Sequence, residues 1–274
     1  MEFSERYGPW AVIAGASEGT GRSFARQLAA KGISCVLVAR DGPLEEVAGE
    51  IRREFGVEAV TADIDLASDD AARRIIAVTG EREVGLYVGN AGADWQGERF
   101  LEHDIDDWIA LSRINIDTMA RCVHHFGQAM KARRRGGVLL VNSGACYGGS
   151  KYLAIYCAAK AFQLNFAESL WSELRLYGVD VLSIVLGRTD TPGYRRRREG
   201  RGVHVGTAKE EGLASPDEVA AEALARLPHG PVHNFGLADD DALFGSSAAT
   251  RREKVVILET IVMQGSGYKP ESDL

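Results

Sequence analysis

Short apolar runs alternate with longer stretches of helical spacing along most of the chain. Residues 10–14 (Trp-Ala-Val-Ile-Ala) make an unbroken apolar run of strand length; in 20–31, Phe24, Leu28 and Ala29 share one helical face. Cys35-Val36-Leu37-Val38 gives a second strand, 44–55 an amphipathic helix, 59–61 a third strand, 70–78 a helix and 86–88 a fourth strand. Strands that are apolar at consecutive positions have no side facing water. Separated by helices, they predict a parallel sheet covered on both faces.

The rhythm continues with a helix over 105–131, a strand at 138–141, a long helix over 153–177 and a strand at 179–185. Then about 25 residues (187–214) show neither pattern, far more than an ordinary connection, and are expected to form a substrate lid. Ser215-Pro216-Asp217-Glu218 opens another helix with a capping serine, a first-turn proline and early acids. Residues 231–235 could add a last strand, and the tail beyond 237 carries one helical stretch near 251–263. With no repeat and no low-complexity linker, the chain reads as one α/β domain over 1–274, a doubly wound parallel sheet with a C-terminal extension at 237–274.

Ala14-Gly15-Ala16-Ser17-Glu18-Gly19-Thr20-Gly21 falls between the first strand and the first helix. Glycines there let the backbone approach a pyrophosphate, and the helix start supplies N–H groups and a positive dipole end. A glycine-rich turn alone is a weak signal; its place after a first strand and before a helix makes the fold Rossmann-like and the turn dinucleotide-binding. NAD-specific sites put an acid at the end of the second strand, where this chain has Ala39 and then Arg40. A guanidinium suits the 2′-phosphate of NADP, which favours NADP(H) as cofactor; Asp41 lies next to it, and the bland alternative for Arg40 is a solvated strand-end charge.

Tyr156-Cys157-Ala158-Ala159-Lys160 lies inside a helical pattern, so both end residues share a face. A phenol that ordinarily titrates near 10 shuttles protons poorly at neutral pH, and a neighbouring ammonium lowers that value. The pair can then give a proton to a nascent alkoxide or take one back. Ser143 closes the strand through Asn142, at the edge where open α/β sheets bind ligands, and its hydroxyl can meet a carbonyl oxygen. The bland alternative is a serine in an ordinary turn with Gly144.

Together, the 15–21 turn, Asn90-Ala91-Gly92, Asn115, Ser143, Tyr156 and Lys160, in this order and spacing, resemble the short-chain dehydrogenase/reductase superfamily over residues 8–235. The stretch from Tyr7 to Val12 and Arg40 look like its NADP-preferring, ketoacyl- and steroid-reductase-like branch. The resemblance implies that Tyr156 is the general acid/base and that Lys160 binds the ribose and tunes the phenol. It makes Ser143 orient the carbonyl and Asn115 hold a water linking Lys160 to solvent. Gly15, Ser17, Glu18, Gly19, Thr20 and Gly21 would bind the phosphates. Asp65 and Leu66 would contact the adenine, Asn90, Ala91 and Gly92 would line the cleft, and Gly187, Thr189 and Thr191 would meet the nicotinamide, whose hydride would leave from the pro-S side. Trp95, Ala145, Leu153 and Tyr194 are the substrate-pocket candidates. Departures are Ala14 for threonine, Gly89 for asparagine, Leu186 for proline, and the absence of a closing Asp-Gly-Gly, which weakens transfer of the common tetramer.

Composition narrows the partners. The net charge of −7 offers no long-range attraction to nucleic acid or anionic lipid. Four cysteines without metal-ligand spacing read as buried thiols. His124-His125 lacks a third ligand, so no metal is expected. No basic, apolar leader and no membrane-length apolar run occurs, and a cytoplasmic protein is expected. The arginine run 195–198 after Tyr194 admits a basic lid for acyl-CoA or carrier-protein phosphates, or a solvated loop; charge runs are ordinarily the latter. The expected function is NADP(H)-dependent interconversion of a ketone and a secondary alcohol by a homodimer or homotetramer. The alternatives are a 3-oxoacyl-thioester reductase and a non-catalytic NADP-binding regulator, and the complete Asn115–Ser143–Tyr156–Lys160 set argues against the second.

Overall fold

The computed structural model describes residues 2–93 and 96–236 together with 260, 261 and 265. A short helix α1 (Phe3–Tyr7) leads into β1 (Trp10–Ala14), α2 (Gly19–Ala29), β2 (Ser34–Ala39), α3 (Leu44–Phe55), β3 (Ala59–Asp63), α4 (Ala71–Thr79) and β4 (Val84–Gly89). The chain continues through α5 (Ile105–Ser112), α6 (Met119–Arg133), β5 (Gly136–Ser143), α7 (Ala154–Leu174), β6 (Val179–Leu186), α8 (Pro192–Gly200), α9 (Ala208–Glu211), α10 (Pro216–Arg226) and β7 (Val232–Asn234). All seven strands are parallel, in the order β3-β2-β1-β4-β5-β6-β7.

Alternation along β1 shows how the sheet is covered. Ala11 and Ile13 pack on one face with Phe24 and Leu28 of α2, Val47 of α3 and Val219 of α10. Val12 and Ala14 point to the other face, with Ile75 of α4, Phe126 of α6 and Ala167 of α7. Each strand is therefore apolar at successive positions because both of its faces are interior. The chain winds outward from β1 to β3, then returns to lay β4 against β1. That reversal opens a crevice at the carboxyl ends of β1 and β4, where ligands of open α/β sheets bind.

Three local departures from the sequence reading have physical causes. The helix expected over 105–131 is broken by a π-helical segment, Arg113–Thr118, between α5 and α6. Within it the Asn115 side-chain amide donates to the Leu111 carbonyl at 3.0 Å, a local competitor to the regular backbone ladder that accompanies the wider turn. The stretch 187–214 holds two short helices that apolar periodicity could not reveal. Thr191 caps α8 by accepting from the Tyr194 amide, Pro192 occupies its first turn, and Thr207 with Glu210 forms a reciprocal capping box on α9. The arginine run lies on α8 and is folded into ion pairs rather than solvated as a loop: Arg195 binds Asp190, Arg196 binds Glu18 and Arg198 binds Glu211. Most of the helical stretch expected near 251–263, and of the extension 237–274, lies outside the described residues. Among the described residues no helix is long and apolar enough to cross a membrane.

Candidate active site

The carboxyl edge of the sheet gathers the chemistry. The turn after β1 hangs from its neighbours: Gly15 N–H donates to the Val38 carbonyl at 2.7 Å, and the Asn90 amide donates to the Gly15 carbonyl at 2.8 Å. Two glycines are required by close approach. A Cβ on Gly21 would lie 1.8 Å from the Gly15 carbonyl oxygen, and Gly15, at φ +87°, would put a Cβ 2.9 Å from the Ala91 backbone nitrogen. Ser17, Glu18, Gly19 and Thr20 complete the turn, and the first turn of α2 presents amide groups that no intrahelical carbonyl can satisfy. Asn90 and Ala91 therefore brace this turn from the end of β4, while Gly92 lies against Asn115, whose side-chain oxygen would be 2.1 Å from an added Cβ.

At the end of β2, Arg40 points into solvent and binds the carboxylate of Asp65, which follows β3. Asp65 also accepts from the Ala67 amide, and the Leu66 carbonyl accepts from the Thr118 hydroxyl. Across the crevice, the 187–214 segment rests on the glycine-rich turn: Thr191 packs where a side chain on Gly19 would go, and Arg196 of α8 pairs with Glu18 at 2.6 Å. The Thr189 hydroxyl oxygen is buried without a protein partner, at the start of this segment, and Gly187 is exposed just past β6.

Ser143 ends β5, half-buried, with its hydroxyl accepting from the Ala145 amide at 3.3 Å. Tyr156 and Lys160 lie one turn apart on α7, with the ammonium nitrogen 5.6 Å from the centre of the phenol ring. Lys160 is 3% exposed. Burial pulls its ammonium down to about 7, with the nearby Cys146 thiol pushing weakly the other way. Its nitrogen donates to the Val141 carbonyl and to the Gln163 side-chain oxygen, both at 3.0 Å. The Gln163 amide in turn donates to the backbone carbonyl of Asn115 at 2.8 Å. The buried Asn142 amide fastens α7 to the sheet by donating to the Lys160 carbonyl and the Ser183 hydroxyl.

Among the substrate-pocket candidates, Ala145 is buried, Leu153 precedes α7 half-buried, and Tyr194 sits on α8 with its hydroxyl 3.3 Å from Arg198; Trp95 lies outside the described residues. Sequence reading missed Gln163 and Asn142. The available signal was a polar residue three positions after Lys160 on a helix face otherwise facing the core.

The family profile described as short chain dehydrogenase matches residues 9–202. The chain is 33% identical over 232 residues to a 7beta-hydroxysteroid dehydrogenase of Collinsella aerofaciens, covering 83% of this chain and 86% of that protein. It is 34% identical over 182 residues to a human very-long-chain 3-oxoacyl-CoA reductase, covering 65% of this chain and 58% of that one. A solved structure from a study of 7beta-hydroxysteroid dehydrogenase stereoselectivity superposes with a TM-score of 0.83 at 28% identity, over 94% of this chain and 99% of that chain. The protein belongs to the short-chain dehydrogenase family. It is an oxidoreductase with the Rossmann-like, doubly wound sheet expected from its sequence.

Proposed function

We propose that the protein interconverts a ketone and a secondary alcohol with NADP(H), on a bulky apolar substrate of the hydroxysteroid class. The observation that carries this reading is the Tyr156–Lys160 pair, one turn apart on α7, with the ammonium buried beneath the phenol ring. Two features of this chain fit a dinucleotide. The close-approach glycines leave a cradle that a single Cβ would fill, and the buried Thr189 hydroxyl has an unused polar atom for the nicotinamide end. Arg40, exposed at the end of β2, is the candidate cation for a 2′-phosphate. Solved structures of similar fold include complexes with NADPH and NADP.

When bound, the nicotinamide supplies or takes the hydride. Tyr156 holds the proton that the carbonyl oxygen needs as it becomes an alkoxide, and takes it back in the oxidative direction. Ser143 donates to the same oxygen, fixing its position and stabilising the charge that develops there. Lys160, held beside the phenol in a water-poor site, favours the phenolate when charged. Asp65, Leu66, Asn90, Ala91 and Gly92 line the adenosine and central parts of the cleft, and Gly187, Thr189 and Thr191 its nicotinamide end.

The thioester-reductase reading has one observation in its favour, the identity to the human reductase. Against it, Arg195, Arg196 and Arg198 are already matched to carboxylates, so the lid does not present this run as an uncompensated patch for coenzyme phosphates. The deciding experiment follows NADPH absorbance with oxo-steroids, simple ketones and 3-oxoacyl-CoA thioesters. Turnover on the steroid ketones supports the proposal, and turnover confined to thioesters replaces it.

A further inference from the structure

The glycine-rich turn carries a charge of its own. Glu18 lies within it and stands at the N-cap of α2, in extended backbone. A carboxylate at that position ordinarily accepts from the amide of the second or third helical residue, here Thr20 or Gly21. In this chain the Glu18 side chain makes no such cap. It meets the Arg196 guanidinium of α8 instead, at 2.6 Å. Two glycines make the approach close. A Cβ on Gly193 would lie 3.0 Å from a Glu18 carboxylate oxygen, and one on Gly19 would lie 2.8 Å from the Thr191 side chain. Arg195 and Arg198 pair within the 187–214 segment, with Asp190 and Glu211, whereas Arg196 reaches out of it.

We propose that Arg196 is a positioning residue for nucleotide binding: by holding the Glu18 carboxylate off the first turn of α2, it keeps the amides there free for the diphosphate of the cofactor. The inference rests on the nucleotide-binding reading given above. The argument is one of competition. The free amides and positive dipole end of a helix start attract an anion, whether it comes from the chain or from a ligand. An unpaired Glu18 is tethered beside them with a carboxylate to offer, and the cap it formed would have to break before a diphosphate could bind. Its charge would also repel the incoming phosphates. Arg196 removes both obstacles, by giving the carboxylate another partner and by cancelling its charge. The two side chains are 64% and 35% exposed, so the pair does little for the stability of the fold and its effect falls on the ligand. NADPH and NADH share the diphosphate. The effect therefore does not discriminate between them, unlike that proposed for Arg40 at the end of β2.

Equilibrium binding of NADPH and of NADH, followed by fluorescence, tests this without a substrate. Arg196→Gln is expected to weaken both by about fivefold, the worth of one helix cap. Glu18→Gln is expected to bind both no more weakly than the wild type, and the double variant to return to the wild-type level. A pair that only pinned α8 in place would make the two single variants equally poor, because either one breaks it. Equal losses in Arg196→Gln and Glu18→Gln therefore overturn the proposal, as does unchanged binding in Arg196→Gln or a loss confined to NADPH. A second measurement needs no nucleotide. In the free protein, exchange of the Thr20 and Gly21 amides, taken relative to their intrinsic rates, is expected to slow in Arg196→Gln as Glu18 takes up the cap, and to match the wild type in the double variant. Faster exchange in Arg196→Gln overturns the proposal. A wild type that binds neither nucleotide would instead sink the nucleotide-binding reading itself, a result distinguishable from all of these.

Discussion

Arg40 and Asp65 clasp across the edge of the sheet, with a guanidinium nitrogen of one 2.8 Å from a carboxylate oxygen of the other. The arginine is therefore aimed at the end of β2 but already partnered, and a 2′-phosphate would have to share it. Arg40→Ala is expected to weaken NADPH binding by about 1.5–3 kcal/mol, the range for a hydrogen bond to a charged group, and to leave NADH nearly unchanged. Asp65→Asn keeps an acceptor for the Ala67 amide while removing a negative charge, so NADPH should gain on NADH. Fluorescence titration with both nucleotides checks the pair of variants; equal losses for both nucleotides in Arg40→Ala would reject the phosphate role.

Lys160 should cost the cofactor-free protein stability. Its ammonium falls to about 7 in the fold because burial disfavours the charge. Between about 7 and the ordinary lysine value of 10.5 the unfolded chain binds the extra proton, so stability rises with pH across that window. Below about 7 the full penalty applies, because the folded protein must then hold the charge. Lys160→Met is thus expected to raise Tm near neutral pH, to lose that advantage toward pH 10, and to lose activity throughout. A variant less stable than the wild type at neutral pH would contradict this.

The elements easiest to read from the sequence were those whose two faces both enter the core. In β1, β2, β4, β5 and β6 every second residue meets a different helix layer, so apolar runs marked them directly. The lid was illegible for the opposite reason: α8, from Pro192 to Gly200, has a single buried side chain, Arg198, and is held by caps and ion pairs rather than an apolar face. The residues proposed for the site were visible as spacing, since Tyr156 and Lys160 need only one helix turn between them. Gln163 was not, because its meaning depends on a carbonyl 48 positions away that only the π-helical turn presents.

Acid should loosen the lid. Arg198 beside Glu211 and the Thr207 cap around Glu210 hold both carboxyls below the usual glutamate value. A depressed carboxyl contributes stability that is present above its unfolded value and is lost as pH falls through the folded one. Protection against hydrogen exchange in 187–214, taken relative to the intrinsic amide rate at each pH, is therefore expected to fall below about pH 4 while that of β1 and β4 persists. Glu211→Gln should show the lower protection already at neutral pH. Protection in 187–214 that stays constant across the acid range would argue against this pairing.

A second copy is expected on the face made by α5 and α7. Ile105 and Ile109 lie one turn apart on α5, 56% and 43% exposed, and Phe162 on α7 is 38% exposed and stacked on Phe166. Large apolar side chains grouped on two neighbouring helices suit a two-fold interface. We expect a homodimer or homotetramer by light scattering, and dissociation in Ile109→Lys and Phe162→Asp. A monomeric wild type at micromolar concentration would end this reading.

The strongest expectation concerns Tyr156. Phenylalanine keeps the ring over Lys160 and removes only the hydroxyl, so Tyr156→Phe should retain NADP(H) affinity and lose nearly all turnover. Lys160→Ala should harm both, since it removes the charge that favours the phenolate and a proposed ribose contact. Ser143→Ala should mainly slow turnover, by about 2.7–4 kcal/mol, the loss typical of one oxyanion-stabilising donor. The three changes act on one proton transfer, so the double variants should be little worse than the worse single one. Single-turnover rates with NADPH and a ketone substrate, compared with separate nucleotide titrations, divide binding from chemistry. If Tyr156→Phe keeps more than about a tenth of the wild-type rate, a loss below about 1.4 kcal/mol, the proton comes from another group.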